Sequence, residues 1–65
     1  MSDVVLKADA TFGLKVQVSD TVQEGDEIGM EPDTSGALIS PVSGIIKGVS
    51  FDAEEHTFEI LIEPA

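Results

Sequence analysis

The sequence predicts a small all-β domain, a flattened barrel or sandwich built from two short sheets. Turn-forming residues recur near positions 20, 25, 34, 43 and 53, at the spacing typical of sandwiches and barrels. β-Branched and aromatic residues are frequent between these turns, and no segment needs a long helix. A chain of 65 residues has room for one domain, which we expect to span residues 1–65.

Two strands are predicted before the first turn. Residues 4–8 are rich in β-forming side chains and could form the first strand. Residues 14–18 alternate cleanly between apolar and polar side chains, which places Leu14, Val16 and Val18 on one face. We therefore expect a half-buried second strand there.

Two turns then follow, with a return to the core between them. Residues 19–21 and 24–26 are rich in turn-forming side chains, and Val22 lies between the two groups. A hairpin is predicted next, with apolar arms at residues 28–30 and 38–39. Its tip has Asp at the first and Gly at the fourth position of a type I turn. The tip residues, which are the candidate docking tip of the domain, are Asp33, Thr34, Ser35 and Gly36.

The last third predicts a turn and two further strands. Residues 40–44 form a compact turn around a proline, and residues 45–51 form a strand whose mixed apolar phase indicates a bend. Residues 52–55 resemble a helix capping box, but a turn followed by a strand over residues 57–63 fits the β-branched and aromatic content better.

The alternation along these segments predicts which side chains fill the interior. The predicted core is Val16, Val18, Val22, Ile28, Ile39, Val42, Ile46, Val49, Phe58, Ile60 and Ile62.

The charge of the chain is strongly acidic. Thirteen Asp and Glu residues against three lysines give a formal net charge of -10, which argues against binding to a nucleic-acid backbone. The acidity fits either simple solubility or docking on a basic partner surface. With no cysteine, disulfides and thiolate metal sites are excluded.

Composition also bounds the compartment and the assembly state. The apolar runs are far shorter than the roughly 20 residues that a membrane span needs, and no signal-peptide pattern is visible. We therefore expect a cytoplasmic protein without a membrane span. The hydrophobic core of a domain this small gives only marginal stability when no disulfide or structural metal supports it, which favours a partner chain or a homo-oligomer.

Two stretches resemble the biotinyl/lipoyl domain family, whose fold is called the barrel-sandwich hybrid. Residues 16–28 read VQVSDTVQEGDEI, and residues 40–46 read SPVSGII. Each run is similar to a family motif, and the resemblance covers roughly residues 12–62. Ser19 stands where the family often has the glycine of a Gly-Asp turn. The resemblance implies a lipoyl-like barrel-sandwich fold.

Carrier members of this family present a lysine at the exposed hairpin tip, where biotin or lipoate is attached. Here the family spacing falls on Asp33 or Ser35, and the hairpin is about two residues shorter than in typical carriers. Lys7, Lys15 and Lys47 lie outside the hairpin tip. The resemblance therefore implies a lipoyl-like domain with no prosthetic group and no cofactor.

A lysine-free, shortened hairpin also resembles the barrel-sandwich segments of large redox complexes. Residues 12–28 and 36–46 are similar to segments found in the sodium-translocating NADH:quinone oxidoreductase and in Rnf-type complexes. The flavin- or cluster-binding parts of those longer chains have no counterpart here. The resemblance implies a docking or structural module with larger subunits of an enzyme assembly as partners.

Individual residues give little sign of chemistry. No combination of serine, histidine and acid indicates a nucleophilic enzyme, and His56 is expected to face solvent in an acidic turn. Asp52, Glu54 and Glu55 lack the spacing of a calcium loop and predict a solvated face. We therefore expect a non-catalytic protein without a metal site.

Two alternatives stay open. A carrier-derived domain could be modified at Thr34 or Ser35, or act as a substrate mimic for a ligase-type partner; a ligand-binding barrel has little interior to spare. The candidate apolar anchors on a partner are those that remain exposed among Phe12, Leu14, Met30 and Leu38.

Overall fold

The computed structural model describes residues 3–34 and 36–65, and these residues form strands without any helix. The strands are β1 (Val4–Asp9), β2 (Thr21–Val22), β3 (Glu27–Met30), β4 (Ala37–Ile39), β5 (Gly44–Asp52) and β6 (Thr57–Pro64). One antiparallel sheet has the order β1-β6-β5-β2, and β3 and β4 form a separate two-stranded hairpin. The predicted all-β class is confirmed.

The part of the chain that the structure describes holds no helix that is long and apolar enough to cross a bilayer.

The long hairpin of β5 and β6 is the centre of the larger sheet, and it contains a β-bulge. Ile46 lies opposite Ile62, but the preceding residue of β6, Leu61, lies opposite Gly48. Lys47 is therefore an extra residue, and the alternation of side chains shifts by one beyond it. This shift explains the mixed apolar phase of the sequence, from which a bend was predicted.

Close backbone approach requires a glycine at the open end of this hairpin. A Cβ atom on Gly44 would lie 2.1 Å from the carbonyl oxygen of Glu63, a distance that no side chain can occupy. Gly48, in the same strand, has room, because its nearest neighbour would be the Leu61 side chain at 4.0 Å. Only the first of these two glycines is required by packing.

The core lies between the larger sheet and the β3-β4 hairpin. Its fully buried hydrophobic residues are Ala8, Val22, Ile28, Ile46, Ile60 and Ile62. The partly buried residues packed against them are Val4, Leu6, Leu14, Val16, Leu38, Val42, Val49 and Phe58. All predicted core positions are among these sets except Val18 and Ile39, which are 52% and 43% exposed.

The prediction of a strand over residues 14–18 is wrong. The Asp20 carboxylate accepts a hydrogen bond from the Gln17 N–H at 2.8 Å, and the Asp20 N–H donates to the Gln17 carbonyl at 3.1 Å. These bonds close a turn that begins at Gln17 and carries Val18 outward. The turn chemistry of Asp20 therefore overrides the apolar alternation.

Ile39 points outward because side chains alternate along β4 and Leu38 packs against the core, and β3, which faces it, contains a second bulge. Ile39 lies opposite Glu27, whereas Leu38 lies opposite Gly29, so Ile28 is the extra residue of β3. Ser40 takes the buried position instead, and its hydroxyl donates to the Val42 carbonyl at 2.6 Å.

Two turns of the same construction flank β2. In the second turn, the Asp26 carboxylate accepts from the Gln23 N–H at 2.9 Å, and the Asp26 N–H donates to the Gln23 carbonyl at 2.9 Å. The third residue of each turn has a positive φ, 79° at Ser19 and 96° at Gly25. The first turn thus holds a serine where a left-handed backbone favours glycine.

The loop of residues 53–56 between β5 and β6 settles the choice between helix and turn. Asp52 Oδ1 accepts from the N–H groups of Glu54 at 3.0 Å and Glu55 at 3.3 Å. His56 follows with a φ of 55° and leads directly into β6. Asp52 therefore caps a turn and not a helix. The strand predicted after this turn is confirmed as β6.

We expect Gly44→Ala to lower the free energy of unfolding by roughly 2 to 3 kcal/mol, because the new methyl group must displace the backbone of β6. Gly48→Ala is the matched control in the same strand and should change stability by less than about 1 kcal/mol. Urea unfolding of both variants measures the difference. Equal stabilities would contradict the close approach of β5 to β6.

We expect Ser19→Gly to stabilise the protein by roughly 0.5 to 1 kcal/mol, since it relieves a left-handed backbone at a non-glycine residue. The reciprocal change, Gly25→Ser, should destabilise by a similar amount because the second turn has the same geometry. Thermal unfolding of the two variants checks both signs. A loss of stability in Ser19→Gly would show that the serine side chain has another structural role.

Candidate functional site

The predicted docking tip lies in the loop between β3 and β4. Asp33, Thr34 and Gly36 are exposed, and Ser35 lies outside the described residues. The Glu31 N–H donates to the Gly36 carbonyl at 2.9 Å, and Thr34 Oγ1 accepts from the Gly36 N–H at 3.2 Å. The tip is therefore a surface loop closed by local hydrogen bonds.

Of the predicted apolar anchors, the structure leaves one fully on the surface. Phe12 is 64% exposed in the loop after β1. Leu14 and Leu38 pack against the core, and Met30 is half-buried in β3. Phe12 is therefore the predicted anchor that remains available to a partner.

Other exposed apolar side chains were not predicted as anchors. They are Val5, Val18, Ile39, Ile45 and Phe51. The turn of residues 17–20 carries Val18 outward, and the bulge at Lys47 puts Ile45 and Phe51 on opposite faces of β5. Phe51 differs from the others because it has aromatic neighbours.

Phe51 belongs to an aromatic group at the loop end of the β5-β6 hairpin. Its ring centroid lies 5.6 Å from that of Phe58, its direct partner across the hairpin, and 5.9 Å from the His56 ring. Val49, two residues before Phe51, shares its face. We call Val49, Phe51 and Phe58 the β5 shelf.

The β5 shelf lies beside an open sheet edge. β2 pairs with β5 only at Gly44 and Ile45, and Ile46 adds two backbone hydrogen bonds to residues 19–20, each 2.8 Å long. Beyond Ile46, no described strand pairs with this side of β5. Residues 47–52 therefore form a sheet edge.

The register shows which backbone groups this edge presents. The Ala10 N–H donates a hydrogen bond to the His56 carbonyl, at 3.0 Å, and this carbonyl belongs to the peptide that joins His56 to Thr57. Because the C=O and N–H of a trans peptide point in opposite directions, the Thr57 N–H points toward β5 and its partner Asp52. Alternation then turns the backbone groups of Val49 and Phe51 outward.

Two open hollows mark the surface of the larger sheet. The first, of about 480 Å³, lies between β2 and the start of β5 and is bordered by Ile45. The second, of about 390 Å³, lies at the loop end of β5. Its lining residues are Ser50, Phe51, Asp52, Ala53, Glu54 and Glu59. Phe51 of the shelf borders this hollow, whereas Asp52 and Glu59 alternate with Phe51 and Phe58 and lie on the opposite face of the hairpin.

All three lysines are engaged by acids of the same chain. The ion pairs are Lys7 with Glu55 (2.9 Å), Lys47 with Asp3 (3.1 Å) and Glu63 (3.6 Å), and Lys15 with Glu27. Exposed pairs of this kind add little stability. Most of the thirteen acids have no lysine partner among the described residues, so the surface keeps a large negative excess.

The lysine pKa values report these contacts. Glu55 raises the pKa of Lys7 above its usual 10.5, first by accepting a hydrogen bond and then by its charge. Asp3 raises the pKa of Lys47 in the same way, with Glu63 adding to the effect. Both lysines therefore stay charged at neutral pH.

The described residues hold no cluster of metal-ligating side chains. Within residues 3–34 and 36–65, no three carboxylate or imidazole side chains converge so as to hold a metal ion. His56 is exposed in its turn, as the sequence predicted.

Comparisons with known proteins give no match, whether to family models, to curated proteins or to solved structures. The family resemblance of residues 16–28 and 40–46 rests on those motifs alone.

We expect stability to change at both ends of the pH range. Hydrogen bonds from Thr11 lower the pKa of Asp9 below its usual 3.8, so its contribution is present above pH 3.8 and is lost as the pH falls through the folded-state value. The raised pKa of Lys7 gives a contribution that is present below pH 10.5 and is lost as the pH rises through the folded-state value.

Urea midpoints measured across the pH range test these signs. Asp9→Asn should reduce the loss of stability in acid and leave the loss in alkali unchanged. Lys7→Met should reduce the loss of stability in alkali and leave the loss in acid unchanged. Unchanged acid sensitivity in Asp9→Asn would contradict the assignment of the loss in acid to the Thr11 hydrogen bonds.

Proposed function

We propose that this chain is a lipoyl-like docking or structural module of a larger enzyme assembly, of the redox-complex or carboxylase type. It carries no prosthetic group and performs no catalysis. The observation that supports this proposal best is its exposed apolar surface: among residues 3–34 and 36–65, six large hydrophobic side chains lie exposed, as many as form the buried core. A monomer in water gains nothing from such exposure, whereas a docked module buries it.

The position of the lysines supports a module without an attached group. A carrier needs a free amine on a mobile tip, and the described tip residues are Asp33, Thr34 and Gly36. Lys15 and Lys47 are held by carboxylates of the same chain. Neither amine stands at a loop tip where an attached group could swing between active sites.

The charge distribution supports a basic partner. Since the lysines are paired internally, the remaining carboxylates present a surface of one sign to the solvent. Such a surface speeds association with a positively charged protein and selects against acidic ones. The binding should therefore weaken as salt is added. A cytoplasmic enzyme complex is the setting we propose.

A carrier-derived domain modified at a hydroxyl is the second candidate. Thr34 is exposed in the tip, and its hydroxyl oxygen already accepts a hydrogen bond from Gly36, which leaves the O–H free to react. Ser35, the other predicted acceptor, lies outside the described residues. This candidate requires an added mass that disappears in Thr34→Val or Ser35→Ala.

Native mass spectrometry of the untagged chain from its source cells tests the proposal. We expect the chain to be detected in a complex with larger subunits, and its denatured mass to equal that of the unmodified sequence. Raising the salt concentration before the measurement should release the small chain, because its docking is electrostatic in part.

Two results would overturn the docking proposal. A chain that stays solitary at low salt has no assembly to serve. A chain that carries an added group on Thr34 or Ser35 instead belongs to the carrier-derived candidate.

A further inference from the structure

We propose that the open edge of β5 binds an extended segment of a partner protein, which adds to the sheet as a further strand. The segment alternates basic and apolar side chains. This inference rests on the proposed docking function and names the surface and the chemistry of the partner.

The edge supplies the backbone groups that strand addition needs. Val49 and Phe51 direct their N–H and C=O groups away from β6, and no described residue pairs with them. Two such residues, with one residue between them, can exchange four hydrogen bonds with an antiparallel partner. An extended segment satisfies these groups better than water does, because its own groups are aligned in the same way.

The usual protection of an edge strand is weak here. Proteins often place a lysine or a bulge on an exposed edge to prevent pairing. β5 has both at Lys47, but its ammonium reaches across the sheet to Asp3 and Glu63. The bulge also lies before the open part of the strand. Residues 49–52 therefore remain available.

The two faces of β5 predict the side chains of the added strand. On one face the β5 shelf presents Phe51, whose side chain is 54% exposed, beside Phe58. On the other face, by alternation with Phe51 and Phe58, lie Asp52 and Glu59, which border the hollow of about 390 Å³ together with Phe51 and the loop residue Glu54. Since side chains alternate between faces along a strand, the partner needs apolar residues at every second position and basic residues between them.

The far edge of the sheet fits such a segment less well. The outward-facing residues of β1 include Lys7 and Asp9, which carry charges of both signs. A second copy of this chain is also a poor occupant of the β5 edge, because it carries the same net charge of -10. Charge complementarity favours a basic segment of another protein.

The probe is a short synthetic peptide of alternating lysine and valine, titrated into the full ¹⁵N-labelled chain. We expect amide shifts at Val49, Phe51 and the loop of residues 53–56, together with slower hydrogen exchange at the first two. A peptide of alternating glutamate and valine is the charge control and should not bind. Added salt should weaken binding of the lysine peptide.

Proline substitutions separate the two edges. Val49→Pro removes an outward N–H without breaking a bond to β6, and should weaken peptide binding about tenfold or more. Val5→Pro makes the same change on β1 and should leave binding intact. Phe51→Ser keeps the backbone N–H, removes the ring, and should also weaken binding. The amide spectrum of each variant shows whether it is folded.

Each outcome bears on one of the two proposals. Shifts confined to β1 or to the hairpin tip, equal binding by Val49→Pro, or no binding of the lysine peptide would overturn the edge proposal. If one of these results is obtained and native mass spectrometry still detects the chain in a complex with large subunits, the chain docks through another surface. A solitary chain that nevertheless binds the lysine peptide at this edge would instead overturn the proposed assembly role alone.

Discussion

The close pairing of β5 with β6 is the constraint on which the rest of the fold depends. At one end, Gly44 lets the strands approach until no side chain fits between them. Further along, the bulge at Lys47 reverses the alternation, so that Ile46 and Val49 both contact the core although they are three residues apart. β1 pairs with β6 and β2 pairs with β5, and the inner face of the β5-β6 hairpin contributes buried side chains to the core.

Much of the fold could be predicted because turn chemistry is local. Asp26 and Asp52 bind N–H groups within three residues of themselves, so their turns are visible in the sequence. The same chemistry at Asp20 outweighed the alternation that predicted a strand before it. The tandem turns share the pattern Gln-x-Ser/Gly-Asp after a valine. That short repeat was the signal that places Val18 in a turn.

The errors come from features that local sequence does not encode. Alternation along β4 allows either Leu38 or Ile39 to face the core, and only the packing of the whole domain turns Ile39 outward. Strand order has the same character: β2 is short, which leaves residues 47–52 on an edge. Exposure of the tip and of Phe12 was predictable because loops lie on the surface. The β5 edge was not, since it depends on which strands become neighbours.

One property of the chain bears on both self-association and partner choice. An exposed edge beside an aromatic ring invites pairing between identical copies, and a domain of this size has little core with which to resist it. A net charge of -10, with the lysines already paired internally, opposes that pairing because every copy carries the same excess. The same excess attracts a segment of opposite charge. Under the proposed docking role, the acidity opposes pairing between copies at the free edge and favours a basic occupant there, so one composition would serve both ends.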